Sequence, residues 1–77
     1  MEFTIQLRSA QDVQDFVGIA TSRPFPVTVT NHQHQVNGKN FMEMFALDVS
    51  HPLWVTAECS WEEFQQLKSE SARFLIG

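Results

Sequence analysis

The sequence predicts an open-faced α/β sandwich with its elements in the order βαββαβα. Three observations carry this. Apolar and polar residues alternate with period two at the start of the chain, around Val27 and after Pro52, as half-buried strands require. Apolar residues recur at helical spacing behind three residues suited to helix caps: Ser9, Asn40 and Ser60. The second face of three strands is largely polar, so helices are expected to cover the sheet on one face only.

In the first strand, read over residues 1–8, Phe3, Ile5 and Leu7 share one side and Thr4, Gln6 and Arg8 the other. Ser9 can cap the helix that follows, with Asp12 in the position of a capping-box acid and Val13, Phe16, Val17 and Ala20 on its apolar face. Pro24 and Pro26 end it. Val27, Thr28, Val29 and Thr30 alternate again. The polar cluster Asn31-His32-Gln33-His34 then reads as an exposed hairpin turn leading to the short extended segment Gln35-Val36-Asn37. Asn40 with Glu43 three residues on starts a second helix, short and very apolar, expected to reach about Asp48, with Met44 and Leu47 facing the sheet. After His51-Pro52, a strand over residues 53–59 turns Leu53, Val55, Ala57 and Cys59 inward and Trp54, Thr56 and Glu58 outward. Ser60-Trp61-Glu62-Glu63 is the clearest capping box in the chain. It opens a helix carrying Trp61, Phe64, Leu67, Ser71 and Phe74 or Leu75 to the C-terminus.

A chain of 77 residues supports a single domain, 1–77, with one modest core. Its 43% hydrophobic content, with seven Phe and two Trp, is that of a folded protein and not of a disordered tail. A formal charge of −4 without any Lys/Arg run excludes nucleic acid as a main partner and disfavours anionic membranes. The lone Cys59 cannot form an intramolecular disulfide, and no segment has a signal-peptide or membrane-spanning pattern, so a cytoplasmic location is expected.

Nothing in the chain assembles a catalytic constellation, and no cofactor is expected. Asp12, Asp15, Glu62 and Glu63 fall in first turns of helices, where the dipole stabilises carboxylates. Cys59 reads as a small buried hydrophobe, with Glu58 beside it disfavouring a thiolate. His32 and His34 stand at i, i+2 and would need His51 to build a metal site. Two histidines in a polar turn without an adjacent Cys, Asp or Glu are ordinarily solvated side chains, so no metal is expected. Trp54, on the open face among Thr28, Thr30 and Thr56, is either sheltered by the hairpin turn or used as a contact.

The run Asn37-Gly38-Lys39-Asn40-Phe41-Met42 through Leu47, followed by Val55-Thr56, resembles the HPr family, the histidine-phosphorylatable carriers of the bacterial sugar phosphotransferase system. The resemblance implies a four-stranded antiparallel sheet and extends by pattern over nearly the whole chain. The family carries Gly-x-His-x-Arg-Pro after its first strand. Here Arg8-Ser9-Ala10-Gln11-Asp12-Val13 occupies that region, without a histidine and with Asp12 and Asp15 adding negative charge where a phosphate would sit. At the family's regulatory serine stands Asn40, which keeps the capping hydrogen bond but offers no hydroxyl.

The resemblance further implies that Phe41, Met42 and Phe45 form an exposed apolar patch that docks protein partners, among them enzymes and regulators of the phosphotransferase system. Gln14, Gly18 and Thr21 of the first helix are expected beside it. The expected function is thus a non-phosphorylatable binding or regulatory module, monomeric or weakly dimeric. Two alternatives stay open: a phosphocarrier whose acceptor has moved to His32, His34 or His51, and an unrelated domain of similar topology that self-associates through the same helix.

Overall fold

The computed structural model describes residues 1–76. Strands β1 (Glu2–Ile5), β2 (Val27–Thr30), β3 (Gln35–Asn37) and β4 (Leu53–Ala57) alternate with helices α1 (Ala10–Thr21), α2 (Phe41–Ala46) and α3 (Trp61–Glu70), giving the order βαββαβα. The strands form one four-stranded sheet in the order β1-β4-β2-β3, every pair antiparallel.

Register explains why the sheet has a dry face and a wet one. Phe3, Val55, Val29 and Val36 stand opposite one another across all four strands, and Leu53 pairs with Ile5 and Ala57 with Val27. All but the half-buried Val36 are buried beneath Phe16, Met44, Phe64 and Leu67 of the three helices. The alternate residues form two rows on the other face: Glu2, Thr56, Thr28 and Asn37 in one, Thr4, Trp54, Thr30 and Gln35 in the next. A one-residue slip would exchange the two faces, so burial of the first set fixes the pairing.

Element ends depart from the sequence-based expectations, each for a local reason. β1 stops at Ile5 and not at Arg8, because the chain is drawn to its own C-terminal segment: Gln6 N–H donates to Phe74 O at 2.8 Å and Ile76 N–H to Thr4 O at 3.1 Å. Leu7 is still buried beyond the strand. α2 ends at Ala46, not Asp48, since Leu47 turns extended (ψ 138°) to bury its side chain. β4 ends at Ala57, leaving Cys59 half-buried against the core. α3 ends at Glu70 and the chain continues as a 3-10 turn, Ala72–Phe74, which seats Phe74 against Phe16 at 6.3 Å between ring centroids. Trp61, expected on the inner face of α3, is 62% exposed and lies over Phe64 with 6.1 Å between centroids.

Two of the three expected capping boxes are rewired. Ser60 and Glu63 form the complete reciprocal pair, at 3.2 and 3.0 Å. Ser9 does cap α1 through Asp12 N, but the Asp12 carboxylate reaches one residue further back, to Arg8 N at 2.9 Å. Asn40 caps α2 through Glu43 N at 3.0 Å, while the Glu43 carboxylate accepts from Asn37 N at 3.1 Å. Gly38, between β3 and α2, is where a side chain would be crowded: a Cβ would lie 3.1 Å from methyl groups of both Val27 and Val29, which would have to give by a few tenths of an ångström.

Candidate functional site

The short helix α2 has one buried residue, Met44. Its cap and single inward anchor orient the remainder outward, so Phe41 is 38%, Met42 77% and Phe45 48% exposed. Phe41 and Phe45, one turn apart, meet edge to face with 4.6 Å between centroids. Exposed aromatics held against each other lose little further rotamer freedom on contact, which suits them to docking. The aromatic pair with the flexible Met42 beside it is an apolar patch on a chain of net charge −4.

Gln14, Gly18 and Thr21 are all exposed, at i, i+4 and i+7 along one stripe of α1. Nothing lies within 4 Å of where a Gly18 Cβ would stand, so this stripe is low and open. Thr21 Oγ1 donates back to Gly18 O at 3.1 Å, which keeps its hydroxyl on the helix. α1 packs against α2, which places the stripe and the apolar patch on neighbouring elements. A groove of about 750 Å³ runs beside them, with Ala10 and Val13 of α1 on one wall, Met44 and Phe45 of α2 on another, and Gln6–Ser9 and Leu47–Ser50 closing its ends. Gln6 Nε2 donates to Val49 O at 3.1 Å across that end.

Asp12 in the first turn of α1 and Asp15 in the second are not bare charges. Arg73 reaches both Asp12 (3.3 Å) and Asp15, with its guanidinium 4.2 Å above the Phe74 ring. The Arg8 N–H holds the Asp12 carboxyl below its ordinary range, and Arg73 adds to this against the opposing effect of burial. Sequence spacing gave no sign of this partner from the far end of the chain. The Asp48 carboxyl is likewise lowered, chiefly by Ser50, whose hydroxyl and N–H both donate to Oδ1 at 2.6 and 3.0 Å, with His51 and His32 contributing less. Burial, reinforced by Glu63, pushes the Cys59 thiol up, which favours the unreactive protonated form.

The histidines divide differently from their spacing. His32 and His51 lie edge to face with 5.6 Å between ring centroids, and His34 is not part of that pair. Together with Pro52 and Trp54 they line a shallow cleft of about 380 Å³, so the 39%-exposed indole borders both the open sheet face and the hairpin turn. Among the described residues no three His, Cys, Asp or Glu side chains converge on a metal position. No described helix is long and apolar enough to cross a membrane.

The antiparallel β1-β4-β2-β3 sheet with three helices on one face has counterparts among solved structures. The chain superposes on the crystal structure of HPr-C-His from Thermoanaerobacter tengcongensis with a TM-score of 0.73 and 24% identity, covering 94% of this chain and 96% of that one. It superposes on the histidine-containing phosphocarrier protein of a Mycoplasma with a TM-score of 0.69 and 13% identity, over the whole of both chains. The fold is therefore HPr-like. No protein-family model matches the sequence, and no curated protein matches it by sequence.

Proposed function

We propose that this chain is an HPr-like docking module that binds a protein partner without carrying phosphate. The observation that carries the reading is the joint exposure of Phe41, Met42 and Phe45 on a helix whose core duty is met by Met44 alone. The partner's contact surface seats on these three residues, with Gln14, Gly18 and Thr21 of α1 as its polar margin. Aromatic residues and methionine are enriched in protein contacts relative to the rest of the surface.

The absence of phosphotransfer is argued from residues. No histidine precedes His32, and the segment after β1 reads Gln6-Leu7-Arg8-Ser9-Ala10. Asp12 stands in the first turn of α1 and Asp15, expected there too, in the second, and Arg73 offsets only part of their charge. By the resemblance to the HPr family, the natural partner class is an enzyme or regulator of the sugar phosphotransferase system, for which this module competes with an active carrier.

The general phosphotransferase enzyme of that system is the probe. Titrated calorimetrically, it should bind the wild-type protein and fail to bind the Phe41→Ser/Met42→Asp variant, whose circular dichroism should match wild type. Binding that survives the double substitution would sink the docking surface. In parallel, intact mass after incubation with phosphoenolpyruvate and this enzyme should show no acid-labile adduct while an ordinary carrier is labelled in the same tube. An adduct would restore a carrier function at His32, His34 or His51.

A further inference from the structure

We propose that His32 and His51 form a two-imidazole site for a borderline divalent transition ion such as Cu²⁺, Ni²⁺ or Zn²⁺, on the side of the molecule bearing Trp54. The sequence points toward His32 and His34. The fold instead joins the β2–β3 turn to the loop between α2 and β4, and so brings His32 to His51.

The geometry suits a shared ion. With metal–nitrogen bonds of about 2.0–2.1 Å and tetrahedral angles, two imidazoles on one ion have ring centroids roughly 5 Å apart. The observed separation is 5.6 Å. The rings now lie at 82° to one another, and both side chains are exposed. The broad terminal torsion of histidine allows each ring to rotate its nitrogen toward a common point.

The two loops are also held in place before any ion arrives. Asn31, only 3% exposed, accepts from Gln33 N and His34 N through Oδ1, at 2.8 and 2.6 Å, and donates from Nδ2 to Asp48 O at 3.1 Å. Its buried amide thus fastens the turn carrying His32 to the loop carrying His51. Asp48, with its carboxylate fixed by Ser50, adds negative charge that favours a cation. Two protein ligands leave further coordination positions to water or to a donor from another molecule, so the site is open and not a structural cage.

The test uses the full chain with metal salts alone. In a Trp61→Phe background Trp54 is the sole tryptophan, and Cu²⁺ should quench its emission saturably at one ion per chain. Zn²⁺ and Ni²⁺ should bind more weakly than Cu²⁺, and Mg²⁺ not at all. His32→Ala and His51→Ala should each weaken binding at least about tenfold, as loss of even a supporting group does, while His34→Ala should stay within about twofold. On unsubstituted protein, substoichiometric Cu²⁺ should broaden the His32 and His51 imidazole resonances before those of His34. Equal sensitivity to all three histidines, or no saturable binding below millimolar metal, would overturn the site.

Discussion

α2 and α3 begin alike and end in different roles. Each opens on a side-chain cap followed by a large aromatic residue that lies against another aromatic of the same helix: Phe41 on Phe45, Trp61 on Phe64. In α3 the partner ring is core, since Phe64 and Leu67 are buried, and beside the 62%-exposed Trp61 the outer face carries Glu62, Gln65, Gln66 and Ser69. In α2 both rings stay in water, Met42 joins them, and Glu43 is turned aside to the sheet edge. An amphipathic helix with a polar outer face is what stability alone produces. A helix of six residues that leaves Phe, Met and Phe exposed has no such account, and the docking role proposed above would supply one.

The comparison can be broken first at the single anchor of α2. Met44→Ala should destabilise the fold by about 2–5 kcal/mol, measured by urea unfolding, because a fully buried side chain is removed with little scope for the short helix to collapse inward. A loss below that range would mean the exposed phenylalanines share the core duty and the docking argument weakens. Ser60→Ala, which removes the intact capping box of α3, should cost about 0.5–2 kcal/mol in the same assay.

The acid limb of stability sharpens the picture at the start of α1. Asp12 is held below its ordinary aspartate value of 3.8, so its contribution is present above that value and is lost as pH falls through the lower native one. Asp12→Asn should therefore flatten the fall in unfolding midpoint below about pH 4, an outcome read from urea midpoints across an acid series. A small effect is expected at the proposed docking patch: Phe41→Ser/Met42→Asp should cost no more than about 1.5 kcal/mol, the order of the one aromatic pair it breaks, while removing partner binding.

Element order and the sheet's two faces were legible in the sequence, because each rests on a local period of two or 3.6 residues, whereas the outward direction of Phe41, Met42 and Phe45 was implied by the resemblance to the HPr family. What escaped was decided by contacts between distant segments. The early end of β1 depends on pairing with residues 74–76, and Trp61 is exposed because Phe64 takes the inner position. Glu43 sits where a capping box predicts it, yet bonds a strand residue. Arg73 pairs with acids near the other end of the chain, and His32 finds His51 and not His34. Spacing carries no record of such partners. The exposure of the proposed docking residues is seen in the structure, and the groove between α1 and α2 could not be read before the helices were packed.

The bond from Asn37 N–H to Glu43 has a bearing on how the molecule meets its own kind. Backbone bonds between residues 27 and 38 and between 31 and 34 set the alternation, so Gln35 and Asn37 are the β3 residues whose main-chain groups face outward. Glu43 occupies the Asn37 donor, and Asn40 N–H occupies its carbonyl. On the opposite margin the C-terminal segment covers Thr4 and Gln6. A growing fibril needs a run of free main-chain groups to template the next strand. With one margin covered at Thr4 and Gln6 and the other reduced to Gln35, a protein that displays two phenylalanines and a methionine to water offers other molecules those side chains more readily than the edges of its sheet.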